Sequence, residues 1–181
     1  MRVFDPWIGQ KYWTDGLRGV RVLILGESHY GTEGTEKRSF TTDIVREWGK
    51  EKRLRFFTVT QQLFQDIGSS LPSDAQRVEF WDSVAFYNFI QSFVGEEARI
   101  SPTHAMWRAA SDAFLATVSE LRPHLIVVLG LELRSHLPQL PKALLVCNVQ
   151  HPSSYGFRVS EWQSVVSDAL ASLATNPRID E

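Results

Sequence analysis

The sequence predicts an α/β fold, a three-layer α/β/α sandwich around a small four-stranded parallel sheet. Three observations carry that expectation. The runs at 20–26 (Val-Arg-Val-Leu-Ile-Leu-Gly) and 124–130 (His-Leu-Ile-Val-Val-Leu-Gly) are nearly continuously apolar and strand-length; a strand buried on both faces has that composition, whereas a half-exposed one alternates. Helical patterns separate the strand-like runs, as parallel strands require for their crossovers. Polar, ionisable residues follow directly on strand ends, at Glu27-Ser28-His29-Tyr30 and at His151-Pro152-Ser153-Ser154. In an open α/β sheet the carboxyl edge is where ligands bind.

Taken in order, residues 1–19 form an aromatic lead-in, with Trp7, Tyr12 and Trp13 set between the turn formers Asp5-Pro6, Gly9 and Asp15-Gly16. The first strand, 20–26, runs into an exposed loop, 27–39, which carries Gly31 and Gly34. Phe40-Thr41-Thr42-Asp43 opens a helix that runs to about Trp48, with Ser39 or a Thr as cap. After a break at 49–53, apolar residues Phe57, Val59, Leu63, Phe64 and Ile67 recur at near-helical spacing, and Gly68 ends that helix. Pro72-Ser73-Asp74 caps a short helix toward Phe80.

The segment 81–90 reads as the second strand, and 91–103 as a loop closing on the helix start Ser101-Pro102-Thr103. The longest amphipathic helix runs from His104 to Leu121 and is stopped by Pro123. The third strand is 124–130, followed by a short helix, 131–137, that ends before Pro138 and Pro141. The fourth strand is 143–149, the last helix 160–173, and the tail 174–181 is polar and frayed. A single domain over 1–181 is expected, with no internal repeat.

Composition narrows the function classes. A hydrophobic content of 43% and a charged content of 22% are those of a soluble globular domain. Neither a signal peptide nor an apolar run of spanning length is legible, so no membrane partner is expected. The lone Cys147 lies inside a strand pattern and reads as a small buried hydrophobe, which fits a reducing cytoplasm. A net charge of −2 argues against a dedicated duplex-DNA clamp. The one basic concentration, Arg46, Lys50, Lys52, Arg53 and Arg55, is interleaved with Glu47 and Glu51 and reads as a solvated helix end.

The chemistry-bearing patterns are few. Gly26-Glu27-Ser28-His29-Tyr30 resembles a nucleophile elbow only until its last position, where Tyr30 replaces the glycine that the sharp turn needs. The five histidines show neither i,i+4 pairing nor His-x-Glu spacing, so no metal is expected. The glycines are too widely spaced for a dinucleotide fingerprint, so no cofactor is expected either. Four strand ends remain, bearing Glu27 to Tyr30, Asn88, Gly130 and His151. An asparagine closing an otherwise apolar and aromatic strand is either a turn former or a buried amide held for a ligand.

In this order and spacing, the motifs Val22 to Gly31, Arg122 to Gly130 and Asn148 to Tyr155 resemble those of the uracil-DNA glycosylase superfamily over roughly residues 20–172. The resemblance implies a set of site residues. Phe40 would stack on the base, Asn88 would read its hydrogen-bonding edge, and Tyr30 would exclude a 5-methyl group, with His29 beside it in the base-binding loop. His151 would donate to the base oxygen that gains charge. Tyr155 or Phe157, flanked by Ser153 and Ser154, would form the wedge pushed into the duplex. Ser28 stands where the most active members carry an Asp, so Glu27 or Ser28 is left to position water.

Two functions follow as expectations. The first is hydrolysis of the N-glycosidic bond of a flipped uracil, or another deaminated or damaged base, in DNA, as in base excision repair. The second is a non-catalytic protein that binds a nucleobase, nucleotide or nucleic acid in the same pocket. The Phe40, Asn88 and His151 set favours the first; the acidic balance and Ser28 favour the second.

Overall fold

The computed structural model of the chain describes residues 2–65, 70–97 and 100–174. The expected helix end at Ile67-Gly68 and the expected frayed tail beyond 174 lie outside the described residues. Five strands form one sheet in the order β1-β3-β2-β4-β5. They are β1 (Trp7–Ile8), β2 (Val22–Gly26), β3 (Ala85–Asn88), β4 (Leu125–Leu129) and β5 (Leu145–Val149). The pairs β2–β3, β2–β4 and β4–β5 are parallel, and β1 runs antiparallel to β3. The sheet is therefore mixed and five-stranded rather than purely parallel and four-stranded. The lead-in supplies the extra strand by pairing Trp7 with Phe86 and Ile8 with Ala85.

Among the described residues six α-helices cover the sheet: α1 (Phe40–Ile44), α2 (Arg55–Gln62), α3 (Asp74–Ser83), α4 (His104–Leu121), α5 (Leu131–Ser135) and α6 (Val159–Ala174). Strand alternation sorts them into two layers. Val22, Ile24, Phe86, Leu125, Val127, Cys147 and Val149 face a core built with Phe57, Leu63, Phe80, Trp81, Phe157 and Val166, which come from α2, α3, α6 and the lead into α6. Leu23, Leu25, Tyr87, Ile126 and Val128 face Trp107, Ala110, Phe114, Val118 and Leu121 of α4, and Leu133 of α5. Helices on both faces explain why these strands are apolar throughout. Cys147 is buried, and desolvation pushes its thiol up to about 11, so it is packed as an inert hydrophobe.

Local chemistry sets the helix ends. Ser73 and Gln76 form a reciprocal capping box at the start of α3. The Thr103 hydroxyl accepts from the N–H of Met106 to start α4, and Arg122 ends it in a left-handed conformation. Ser39, in contrast, does not cap α1; its hydroxyl donates to Asp43 instead. The expected helix end near Trp48 is a π-helical turn, Val45–Glu51, continuous with α1. Gly49 within it lies against the Trp81 ring, where an added Cβ would come within 3.2 Å. The next residue, Lys50, reaches Asp82 at 2.7 Å. Residues 81–83, expected in the second strand, are the last turn of α3, because the cap at Ser73 carries the helix on to Ser83. No helix among the described residues is long and apolar enough to cross a membrane.

Candidate active site at the carboxyl edge of the sheet

The direction in which successive strands are added across the sheet reverses between the parallel neighbours β2 and β4. From β2 the chain passes to β3 by way of α1 to α3 on one face, and from β4 it passes to β5 by way of α5 on the other. The crevice beyond the carboxyl ends of these adjacent strands is the topological switch point, where open α/β sheets bind ligands. Gly26 and Gly130 stand on its two sides, Gly26 making room for the Asn88 amide and Gly130 lying in ordinary contact range of His151.

A Cβ on Gly26 would fall 2.1 Å from Oδ1 of Asn88 and 3.1 Å from the Phe86 ring. Asn88, paired with Gly26 across the sheet, thus lays its amide over the end of the central strand. Asn88 is only 4% exposed, and its backbone carbonyl accepts from the Gln91 amide at 2.7 Å. On the other side, a Cβ on Gly130 would stand 4.0 Å from the Cβ of His151, and Gly130 holds φ at +141°, a conformation that favours glycine.

The tautomer of His151 follows from its partner. The backbone N–H of Ser153 donates to Nδ1 at 3.1 Å. Nδ1 must then be unprotonated, so a neutral ring carries its proton on Nε2. Burial lowers the His151 pKa and keeps the ring neutral. Two contacts absent from the sequence expectations hold it. Phe56 packs against the ring with centroids 5.5 Å apart, and the Arg55 guanidinium donates to the Pro152 carbonyl at 2.9 Å. The Arg55-Phe56 pair opening a helix was the only trace of this support in the sequence, and nothing in its spacing tied it to a loop almost a hundred residues away.

Glu27 is half-buried beside the crevice. Desolvation raises its carboxyl pKa, and the nearby Glu132 carboxylate raises it further. Ser28 is half-buried next to it, and Tyr30 stands exposed at the rim.

Phe40, at the start of α1, is half-buried in a cluster of four rings from four segments. Its centroid lies 4.9 Å from His29, 4.9 Å from Phe93 and 5.9 Å from Phe4. His29, expected among the base-binding residues, is 7% exposed and sits behind Phe40. An isolated parallel bridge joins His29 to Phe93 beyond the strand ends, and the imidazole is buried against Phe4 and Phe40. Phe4, fully buried, closes the cluster from the lead-in.

The expected wedge divides. Phe157 is 8% exposed and belongs to the core under α6, so it is not available to a duplex. Tyr155 is fully exposed at the tip of the loop, between half-buried Ser154 and exposed Gly156, with Ser153 also exposed. The basic segment is committed locally: Arg46 to Asp43 at 3.2 Å, Lys50 to Asp82 at 2.7 Å, Lys52 to Glu47 at 2.6 Å and Arg53 to Asp74 at 3.1 Å. Among the described residues no three His, Cys, Asp or Glu side chains gather as a cation site. Two surface concavities, of about 610 Å³ and 500 Å³, lie away from this crevice, around Arg18 and Phe64 and around Trp7 and Lys50.

Chemically, the carboxyl edge of the sheet carries a neutral N–H donor at His151, a buried amide at Asn88 and a carboxyl of raised pKa at Glu27, with half-buried Phe40 in the ring cluster around His29. The chain matches no protein-family model and no curated protein.

Proposed function

We propose that the protein hydrolyses the N-glycosidic bond of a flipped uracil, or of a related deaminated or damaged base in DNA, in the manner of the uracil-DNA glycosylase superfamily. The observation that carries this reading is the Ser153 N–H donated to Nδ1 of His151, which leaves Nε2–H as a neutral donor at the sheet edge that also holds Asn88.

In the proposed reaction the base is unstacked and held against Phe40 while Asn88 reads its edge. The bond between the sugar carbon and the base nitrogen breaks, and its electron pair leaves with the base. Nε2–H of His151 donates to the base oxygen on which that charge collects. A donor fixed in place stabilises the charge more than the neutral ground state, and is typically worth about 3 kcal/mol. Water then bonds to the sugar carbon and gives up a proton to Glu27. The raised pKa of Glu27 brings it closer to the operating pH, where a general base is most effective.

The test is incubation with single- and double-stranded oligonucleotides containing uracil, hypoxanthine or xanthine, followed by alkali. Strand breaks at the modified base are expected. No abasic product from any of these substrates at stoichiometric protein overturns the reading. A second reading, a nucleobase-binding protein that does not cut, is favoured by Ser28 standing where a carboxylate would be most effective. Uracil binding by calorimetry without strand breaks would establish it.

A further inference from the structure

We infer that His29 is a positioning residue for the aromatic platform Phe40, acting with the hydroxyl of Thr41. The inference rests on the base-stacking role proposed for Phe40 and extends it to a residue that does not itself touch the base.

Three observations point to it. Nε2 of His29 lies 2.8 Å from Oγ1 of Thr41, a fully buried hydroxyl on the residue next to Phe40. That hydrogen bond ties the loop after β2 to the first turn of α1. The imidazole also presents to the Phe40 ring edge-on, with centroids 4.9 Å apart and planes 80° apart. Such pairs have a preferred geometry and resist rotation of either ring. Finally, Phe4 meets His29 from another side at 5.1 Å, and Phe93 meets Phe40 at 4.9 Å, so the imidazole is itself held. Phe4 is anchored in turn, because the Gln91 side chain accepts from the N–H groups of Val3 and Phe4 at 3.0 and 2.9 Å. The same Gln91 amide donates to the carbonyl of Asn88. The ring expected to stack on a base and the residue expected to read its edge therefore share one scaffold, and of the rings that meet Phe40 within it His29 is the one that also hydrogen-bonds the residue next to Phe40.

A single hydrogen bond and one ring contact set the expected size. Losing a buried hydrogen bond with little change of shape weakens the arrangement it holds by about fivefold in an equilibrium constant. Because a stacking face acts on bound substrate and transition state alike, the loss should appear in KM and leave kcat nearly unchanged.

The experiment compares wild type, Thr41→Val, His29→Gln and His29→Leu, each also in a Phe40→Ala background. KM and kcat are measured on a uracil-containing single strand. In parallel, 4-fluorophenylalanine placed at position 40 reports the platform by fluorine NMR without substrate. Thr41→Val, nearly isosteric, should raise KM about fivefold and shift or broaden the fluorine line. His29→Leu should do the same, whereas His29→Gln, whose amide can reach Thr41, should keep both close to wild type. In the Phe40→Ala background Thr41→Val should change KM no further, while its effect on melting temperature persists.

An unchanged fluorine line in Thr41→Val and His29→Leu, with only a lowered melting temperature, overturns the inference and leaves His29 as core filling. An additive KM effect in the Phe40→Ala background overturns it as well. If wild type releases no base, the proposed function falls, and the fluorine line still decides whether His29 sets Phe40.

Discussion

Oδ1 of Asn88 occupies the volume that a methyl group on Gly26 would fill, 2.1 Å from an ideal Cβ. The paired ends of the two strands are thereby locked into one arrangement. Gly26→Ala is expected to push the Asn88 amide aside and to lower base release to about the level of Asn88→Ala. It should also destabilise the fold by about 1–3 kcal/mol, as overpacking does. Combining Gly26→Ala with Asn88→Ala removes the clashing oxygen, so thermal denaturation of the double variant should recover part of the stability lost in Gly26→Ala.

Replacing His151 removes the one donor with an assigned tautomer. His151→Ala should reduce single-turnover base release by about a hundredfold or more, in line with the loss of a fixed charge-stabilising donor. The variant should remain folded by circular dichroism, because the ring is only partly buried and the backbone hydrogen bond from Ser154 to the residue 151 carbonyl does not need the imidazole.

Stability should depend on pH through His29. Its pKa is lowered by burial from 6.5 to about 4, so the unfolded chain binds the proton first. The stabilisation is present above about pH 6.5 and is lost as the pH falls through about 4, below which both states are protonated. Over that interval the group's contribution is about 3 kcal/mol. Urea denaturation at pH 7 and pH 4.5 should show the decline in wild type, and a shallower one in His29→Gln.

Arg55 tests the support of the loop that carries His151. Arg55→Ala leaves the Pro152 carbonyl without this donor and should loosen the turn that orients His151. A fall in kcat of about tenfold with little change in melting temperature is expected, since one charge-assisted hydrogen bond is worth about 1.5 kcal/mol or more. Stopped-time assays beside a thermal melt check both halves.

The two aromatics of the loop should separate cleanly. Phe157→Ala opens a hole in the core and should cost about 3–5 kcal/mol of stability. Tyr155→Ala should leave the melting temperature unchanged and, if the tyrosine enters the base stack, reduce activity on duplex substrate more than on single strand. Melting curves and paired strand assays distinguish the two.

Much of the fold was legible because the signals were local. The helix His104–Leu121 carries its own cap and stop, and the buried strands announce themselves by unbroken apolar composition. Illegible features depended on partners far away in sequence. The two-residue strand Trp7–Ile8 exists because Phe86 and Ala85 offer it an edge. The π-helical turn forms where Gly49 meets Trp81 and Lys50 meets Asp82. The same distinction holds at the site. The positions of Asn88 and His151 at the carboxyl edge were legible because each lies at the end of a strand-like apolar run. The burial of His29 and Phe157, and the support from Phe56 and Arg55, came from tertiary contacts that no local pattern encodes.

The scaffold joining Phe4, Gln91 and Asn88 bears on how the molecule assembles. Residues 3 and 4 dock on a side chain 88 and 87 positions later in the chain, and His151 arrives just after the final strand. Contacts between such distant segments form late, because the entropy of closing a long loop must be met first. During refolding, helical circular dichroism should therefore return before the crevice is complete, and the ability to engage a base should be the slowest property to recover.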